Sequence, residues 1–413
     1  MMRIKKIKFM AIAGLGLLAG CVATVDPASV GTGSKGETTT FDLAADVLDE
    51  SPLVPGRRPT LDSLEGSLWM QIDNAEHQIK SSGHVIRDPA LNKYVRGVVC
   101  NMAGKFCPHI RTYIVRAPSF NASMFPNGVM QVHSGLLLRV RNEAELAAIL
   151  GHEIGHYIRL HTRDRWRKII DTTNVLMFTK MVFAVAGVPG TTELIDNMAR
   201  GSLAAYSRDH ERESDMVGLR LLVKNGYDPW AAQKVWVQIE RERQFEKKNP
   251  FRSKYLDSHP SGVERADNLG ALARYAEKHT KNNDRGKRRF EDAVIPLRAM
   301  MLRDEMNLRD HKRFRGLLAM LIRNGRHVGI FHFFRGENYR LQGGDDNLDK
   351  AMLSYRNAAA RRETPVIVYR AMARVLAKQG KKAEARKAYR LYLDKSPDAE
   401  DRGIIEQIMD GLS

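Results

Sequence analysis

The chain has 413 residues, enough for two or so domains that bury a real core. Hydrophobic residues make up 43%, too few for a multi-span membrane protein, while the net charge of +18 demands an anionic partner or location. Nucleic acid is the usual partner of so basic a chain, but the N-terminus points elsewhere.

Residues 1–20 read as an export signal. Arg3, Lys5, Lys6 and Lys8 precede an apolar run from Phe9 to Ala19 that is too short to span a bilayer. The run ends in Leu18-Ala19-Gly20-Cys21, which looks like a bacterial lipobox and makes Cys21 the expected lipidated N-terminus. An ordinary signal peptide with a coincidental cysteine is the other reading. Val22 and Ala23 follow, with no aspartate, so by analogy with the enterobacterial sorting rule the anchor belongs in the outer membrane. The expected location is the periplasm, and nucleic acid is excluded as a partner. The positive charge then faces anionic lipid or acidic envelope proteins. Cys100 and Cys107 remain as an even pair in an oxidising compartment, flanking a short loop, and a disulfide is expected.

Residues 21–60, with Pro27, Pro52, Pro55, Pro59, Gly31, Gly33 and Gly36, read as a flexible tether. Leu64, Leu68, Ile72, Ala75 and Ile79 then recur at helical spacing. Asp88-Pro89 opens a second helix to about Val99, with Asp88 as N-cap. Arg111 to Val115 is β-branched and aromatic, hence a strand. Between Phe120 and Val132, Pro126-Asn127-Gly128 supplies a turn between two extended pieces. An edge strand at Asn121, Ala122 and Ser123 is suited to taking an extended peptide by strand addition.

Asn142 reads as the N-cap of an amphipathic helix, with Glu145 as its capping partner. Near its end stands Gly151-His152-Glu153-Ile154-Gly155-His156. Residues four apart on a helix share a face, so His152 and His156 can reach one metal ion together. Glu153 lies roughly 60–100° round the axis, close enough to act beside the ion without ligating it. A zinc hydrolase needs this set: neutral imidazole ligands, an open coordination position and a carboxylate base.

Asn121 to Gly128, Gly135-Leu136-Leu137 and the run from Glu143 to Tyr157 together resemble the HtpX/CAAX-protease superfamily of zinc peptidases. The periplasmic BepA-like branch, with C-terminal tetratricopeptide repeats, is the nearest in kind. A metzincin is ruled out, because Arg159 and Thr162 stand where its glycine and third histidine belong. His161 falls one residue short and reads as a helix-end residue.

After a basic stretch, Val175 to Val188 is apolar but holds Lys180 and is short for a span. It reads as a buried or interfacial helix near the active-site mouth. Tyr206 to Asp215 then offers four acids from which a third ligand could come. Helical phase puts Glu211 and Asp215 on the face of Leu219 and Leu222, and Asp209 and Glu213 on a more polar side. An acidic surface cluster paired with Arg208 and Arg212 is the competing reading. The resemblance, through its S-R-x-x-E-x-x-A-D pattern, implies that Glu211 is the ligand and that Asp215 orients a ligating imidazole. The chain departs from that pattern at Ser214. Further on, His259-Pro260 and Arg265 resemble the family's H-P…R element. His259 would stabilise the oxyanion or occupy the open metal position, and Arg265 would support the transition state or the structure.

Asp228-Pro229 starts a helix to about Phe245, and residues 273–326 form a helical, basic connector. Two units of tetratricopeptide-like pattern follow, about Gly329 to Pro365 and Val366 to Ala399, with Gly336, Tyr355, Gly380 and Tyr389 at small and aromatic positions. Two units are fewer than such arrays need alone, so they are expected to lean on the helices before them.

The expected fold is α+β, mostly helical. A zincin-type metallopeptidase domain with a small edge-strand sheet covers 61–272, the connector 273–326, and an α-helical repeat domain 327–413. The resemblance implies one Zn2+ per chain on His152, His156 and Glu211, with Glu153 as general base. Its expected substrates are unfolded or misassembled envelope proteins, with the repeats reaching the outer-membrane assembly machinery. The competing expectation is a lipid-anchored adaptor or chaperone with a structural or vestigial zinc site.

Overall fold

Residues 43, 46–54, 56–172, 206–243, 259 and 263–412 are described by the computed structural model. The export signal, Cys21 and the apolar stretch Val175 to Val188 lie outside the described residues.

Helix α1 (Leu64–Ser81) starts at Ser63, whose side chain accepts from the Gly66 amide. Helix α2 (Pro89–Ala103) is capped by Asp88 at the Leu91 amide, 2.8 Å away, and runs a turn beyond the expected end at Val99. A 3₁₀ turn over Gly104–His109 follows, joined to α2 by a Cys100–Cys107 disulfide with Cα atoms 4.8 Å apart. The sheet has three strands in the order β1 (Arg111–Val115), β3 (Val129–His133), β2 (Ala122–Met124). β1 runs parallel to β3, Arg111 opposite Val129, and β2 antiparallel to it, Ala122 opposite Val132. Among the described residues β2 pairs with β3 alone, which leaves its outer edge unladdered. Gly128 makes the hairpin turn at φ +87°, where a Cβ would lie 2.2 Å from the His109 carbonyl oxygen.

After α3 (Ser134–Arg139) comes α4 (Glu143–Ile158), with Asn142 accepting from the Glu145 amide at 2.9 Å. Glu145 turns back to the Arg141 amide, 2.8 Å away, so cap and partner hold the helix start together. The helix is not amphipathic as the sequence suggests: every residue from Glu143 to Ile158 is buried. It packs against α2, α6 (Arg208–Lys224), α7 (Trp230–Arg243) and β2. The closest contact is with α6, and small residues permit it. A Cβ at Gly155 would sit 3.1 Å from Ser214 Cα, and one at Gly218 3.0 Å from the His152 amide nitrogen. Between α4 and α6 the chain enters α5 (His161–Thr172).

Helix α8 (Val263–His279) packs on α7 and α6, running unbroken through residues 272 and 273 where the sequence reading places a junction. Helices α9 (Lys287–Asn307) and α10 (His311–Asn324) follow. Two helical hairpins come next, α11 (Gly329–Gln342) with α12 (Asp345–Ala359) and α13 (Ile367–Lys378) with α14 (Lys382–Lys395), before α15 (Arg402–Asp410). Gly336 lets α12 approach, since a Cβ there would lie 2.3 Å from the Tyr355 ring. One continuous apolar core extends from Val47 to Ala385, so the hairpins lean on the preceding helices.

Two features depart from the sequence reading. Residues 46–54, assigned to the tether, lie against the folded body. Val47 and Leu48 are buried, Ser51 donates to the Ile158 carbonyl at 2.7 Å, and Asp46 pairs with Lys224. Proline-rich flanks mask these few apolar anchors in the sequence. In addition, Arg139, Glu242, Glu305 and Arg313 form a buried ion cluster joining α3, α7, α9 and α10.

Candidate metal centre

Helix α4 presents His152 and His156 one turn apart, and α6 brings Glu211 against them because Gly155, Ser214 and Gly218 let the backbones close. His152 Nε2 lies 3.1 Å from His156 Nε2. Glu211 lies 3.3 Å from His156 Nε2 and 3.5 Å from His152 Nε2. His259 joins them, its Nδ1 3.2 Å from His152 Nε2 and 3.0 Å from Glu211 Oε1. One donor atom from each of these four buried residues falls within 4.8 Å of all the others.

This set fits a zinc ion. Four donors at 2.0–2.1 Å from one tetrahedral ion stand about 3.3 Å apart, and the closest contacts here are 3.0–3.3 Å. Two ring nitrogens in contact share at most one proton, so three converging imidazoles and a carboxylate make poor partners for one another and good ligands for a dication. Their charge states agree. Burial holds His156 well below the usual histidine range, and it lowers His259 also, so both rings are neutral. Burial alone would raise Glu211, but His259 and Arg265 draw it well below the carboxylate range, so it is an anion.

Behind the donors, His152 Nδ1 lies 2.9 Å from Asp215 Oδ1. Arg265 grips Asp215 with two bonds, 2.8 and 2.6 Å, and also donates to Glu211 Oε2. Its guanidinium lies 4.0 Å over the Trp236 ring. Burial pushes Asp215 up, yet Arg265 and His152 hold it below its ordinary value. Arg265 thus fixes two carboxylates at once. Glu153, 1% exposed, has its Oε1 3.3 Å from His259 Nε2, beside the donors and not among them.

Ala122 and Ser123 lie in the outer strand β2 with Asn121 just before it, while Cys100 in α2 and Cys107 in the 3₁₀ turn form the disulfide and are not among the donors. Three participants escape the sequence reading. Tyr206 stacks on His156 with ring centroids 3.7 Å apart. Trp236 underlies Arg265. His161 stands at a helix end, the first residue of α5, and does more than end it: its Nδ1 is 3.2 Å from His156 Nδ1 and its Nε2 2.9 Å from Glu213 Oε2. Glu213, set aside by helical phase as polar, is therefore joined to the donors through His161. The available signal was a histidine five residues past His156; the aromatic contacts had none.

Comparison with known proteins agrees with this geometry. Residues 86–273 match the model of Peptidase family M48. The chain is similar to a beta-barrel assembly-enhancing protease of Yersinia pestis, 25% identical over 194 residues, 44% of this chain and 39% of that protein. It is also similar to mitochondrial metalloendopeptidase OMA1 of Arabidopsis thaliana, 31% identical over 159 residues, 37% and 29% of the two chains. With the OMA1 of Schizosaccharomyces pombe it shares 32% over 155 residues, 37% and 43%. The chain thus spans less than half the length of each of these relatives. Among the described residues no helix is long and apolar enough to cross a membrane. With His152, His156 and Glu211 converging at its centre, the segment 86–273 matches Peptidase family M48 and carries a donor set that fits a zinc metallopeptidase site.

Proposed function

We propose that this protein is a zinc-dependent endopeptidase of the bacterial envelope that cleaves unfolded or misassembled envelope proteins. The convergence of two α4 imidazoles with an α6 carboxylate carries the reading. His152, His156 and Glu211 would hold the ion. A zinc there would supply Lewis acidity, lowering the pKa of water towards neutrality and polarising a carbonyl. Glu153 takes the proton from the attacking water and delivers it to the leaving amine. Arg265 and Asp215 keep Glu211 and His152 in place, and burial excludes bulk water from the reacting groups. The outer edge of β2, at Asn121, Ala122 and Ser123, aligns an extended substrate by main-chain pairing, which selects unfolded segments.

His259 takes the fourth corner of the donor set, so the protein rests closed and substrate must displace it. The name of the assembly-enhancing relative supports an envelope role, with Cys21 as lipid anchor to the outer membrane. The two hairpins are tetratricopeptide-like units that select the client, including parts of the outer-membrane assembly machinery.

Glu153→Gln tests the chemistry on an unfolded substrate such as casein. The expected result is a loss of about 10²–10⁴-fold in cleavage with zinc still bound at one per chain. Undiminished cleavage would falsify the assignment, and full function of the variant in cells would favour an adaptor. In the same assay, His259→Ala should cleave faster than the wild type; slower cleavage would replace the resting latch with an oxyanion role.

A further inference from the structure

We propose that His161 and Glu213 are a positioning pair that fixes the tautomer of the metal ligand His156; this rests on the zinc reading above. His156 Nε2 faces the donor set, 3.1 Å from His152 Nε2, and Nδ1 faces His161 Nδ1 at 3.2 Å. One proton lies between those two Nδ1 atoms. Were it on His161, the neutral His156 ring would carry its hydrogen on Nε2 and have no lone pair for a metal.

Glu213 decides the matter. Its carboxylate accepts only, so at 2.9 Å it takes the Nε2–H of His161. With its hydrogen on Nε2, the His161 ring offers a bare Nδ1, His156 Nδ1–H donates to it, and the lone pair of His156 is left on Nε2. Arg159 places a positive charge beside the same carboxylate, 3.3 Å from Glu213 Oε1.

The surroundings hold His161 in this role. It is 4% exposed, stacked on His210 with centroids 4.1 Å apart, and its Nδ1 lies 3.3 Å from Ser214 Oγ. That hydroxyl stands where the family pattern has alanine. Leu160, just before it, adopts φ +62°, a left-handed conformation that a non-glycine residue rarely holds. This strained turn folds α5 back so that its first residue meets α4. The two histidine ligands are therefore held differently. His152 meets the Asp215 carboxylate directly, whereas His156 reaches Glu213 through an interposed imidazole.

The test is zinc affinity of the full chain, measured by competition with a chromophoric chelator, beside the melting temperature of the metal-free protein. His161→Phe keeps the ring volume without an acceptor and should weaken zinc binding about 10–100-fold. His161→Asn places an acceptor near the Nδ1 position and should stay within a few-fold of the wild type. Glu213→Gln, at the partly exposed end, should weaken binding several-fold while leaving the metal-free melting temperature unchanged. Wild-type affinity in His161→Phe, or equal losses in the Phe and Asn variants, overturns the proposal. If His161→Phe does not fold, unchanged affinity in Glu213→Gln overturns it alone. Failure of the wild type to bind zinc would instead overturn the metallopeptidase reading.

Discussion

Two regions of this molecule bury charge to nearly the same depth and for opposite ends. In the cluster of Arg139, Arg313, Glu242 and Glu305, two guanidiniums face two carboxylates. Arg139 lies 2.8 Å from Glu242 and 3.0 Å from Glu305, and Arg313 meets Glu305 as well. Each charge there has its complement. In the metal centre, nitrogens that cannot all be satisfied by one another converge beside Glu211, with Arg265 as the guanidinium gripping the two α6 acids. The lesson is that burial of charge alone does not mark a functional site. A structural cluster closes its own electrostatics, whereas a binding centre leaves a deficit that a cation of the right charge and size would fill.

Breaking the closed cluster should have the largest effect on stability. Glu305→Ala leaves two buried guanidiniums short of a partner, a loss of about 3–5 kcal/mol. Denaturant unfolding of the metal-free protein measures it, and a change under about 1 kcal/mol would erase the contrast. Glu211→Ala, by contrast, should abolish zinc binding with a smaller loss in the metal-free state.

An ion pair of intermediate burial sharpens the comparison. Glu76 is buried but its partner Arg111 is about a third exposed; burial pushes Glu76 up, while bonds from Arg111 and Tyr113 pull it down to about 2. Its folded pKa is depressed, so its stabilisation is present above the ordinary value near 4.5 and is lost as pH falls towards about 2. Glu76→Gln should cost about 1.5–3 kcal/mol at neutral pH. The gap from wild type should narrow across that acid window in pH-dependent unfolding curves. A gap that persists at pH 2 would show that packing, not charge, is lost.

The smallest effect concerns the contact on which only the metal centre depends. Gly218→Val should cost about 1–3 kcal/mol by forcing α6 off α4, and zinc affinity should fall with it. Gly97, exposed on α2 with open space around it, is the control: Gly97→Ala should stabilise by up to about 1 kcal/mol. If Gly218→Val leaves zinc affinity intact, helix approach does not set the donor geometry.

Much of the chain is legible from local rules. Asp88, Asn142 and Ser207 each cap a helix through their own side chains, and Pro126-Asn127-Gly128 makes a turn that tolerates no other residue at its last position. The histidine pair is legible because a helix places residues four apart on one face. Less legible is the environment of α4. Its sequence suggests one apolar stripe, yet neighbours from distant parts of the chain cover all sides. The packing of residues 46–54 is hidden for a related reason, since Val47 and Leu48 are two apolar residues in a stretch whose composition signals a tether.

What the amino-acid order determined by itself was local: the capped helix, the two imidazoles on its face, the adjacent carboxylate and the small residues along its side. Those features depend on dihedral preferences and a fixed helical period, both short-ranged. Helical phase and the resemblance pointed to Glu211 and Asp215, but the contact that brings Glu211 to the imidazoles, and the parts played by His161, Glu213 and Tyr206, were decided only in three dimensions. Glu213 and Glu211 differ by two positions and about 200° of helical phase. Only the approach of α6 to α4, and the strained turn that delivers His161, sends one to the donor set and the other to its support.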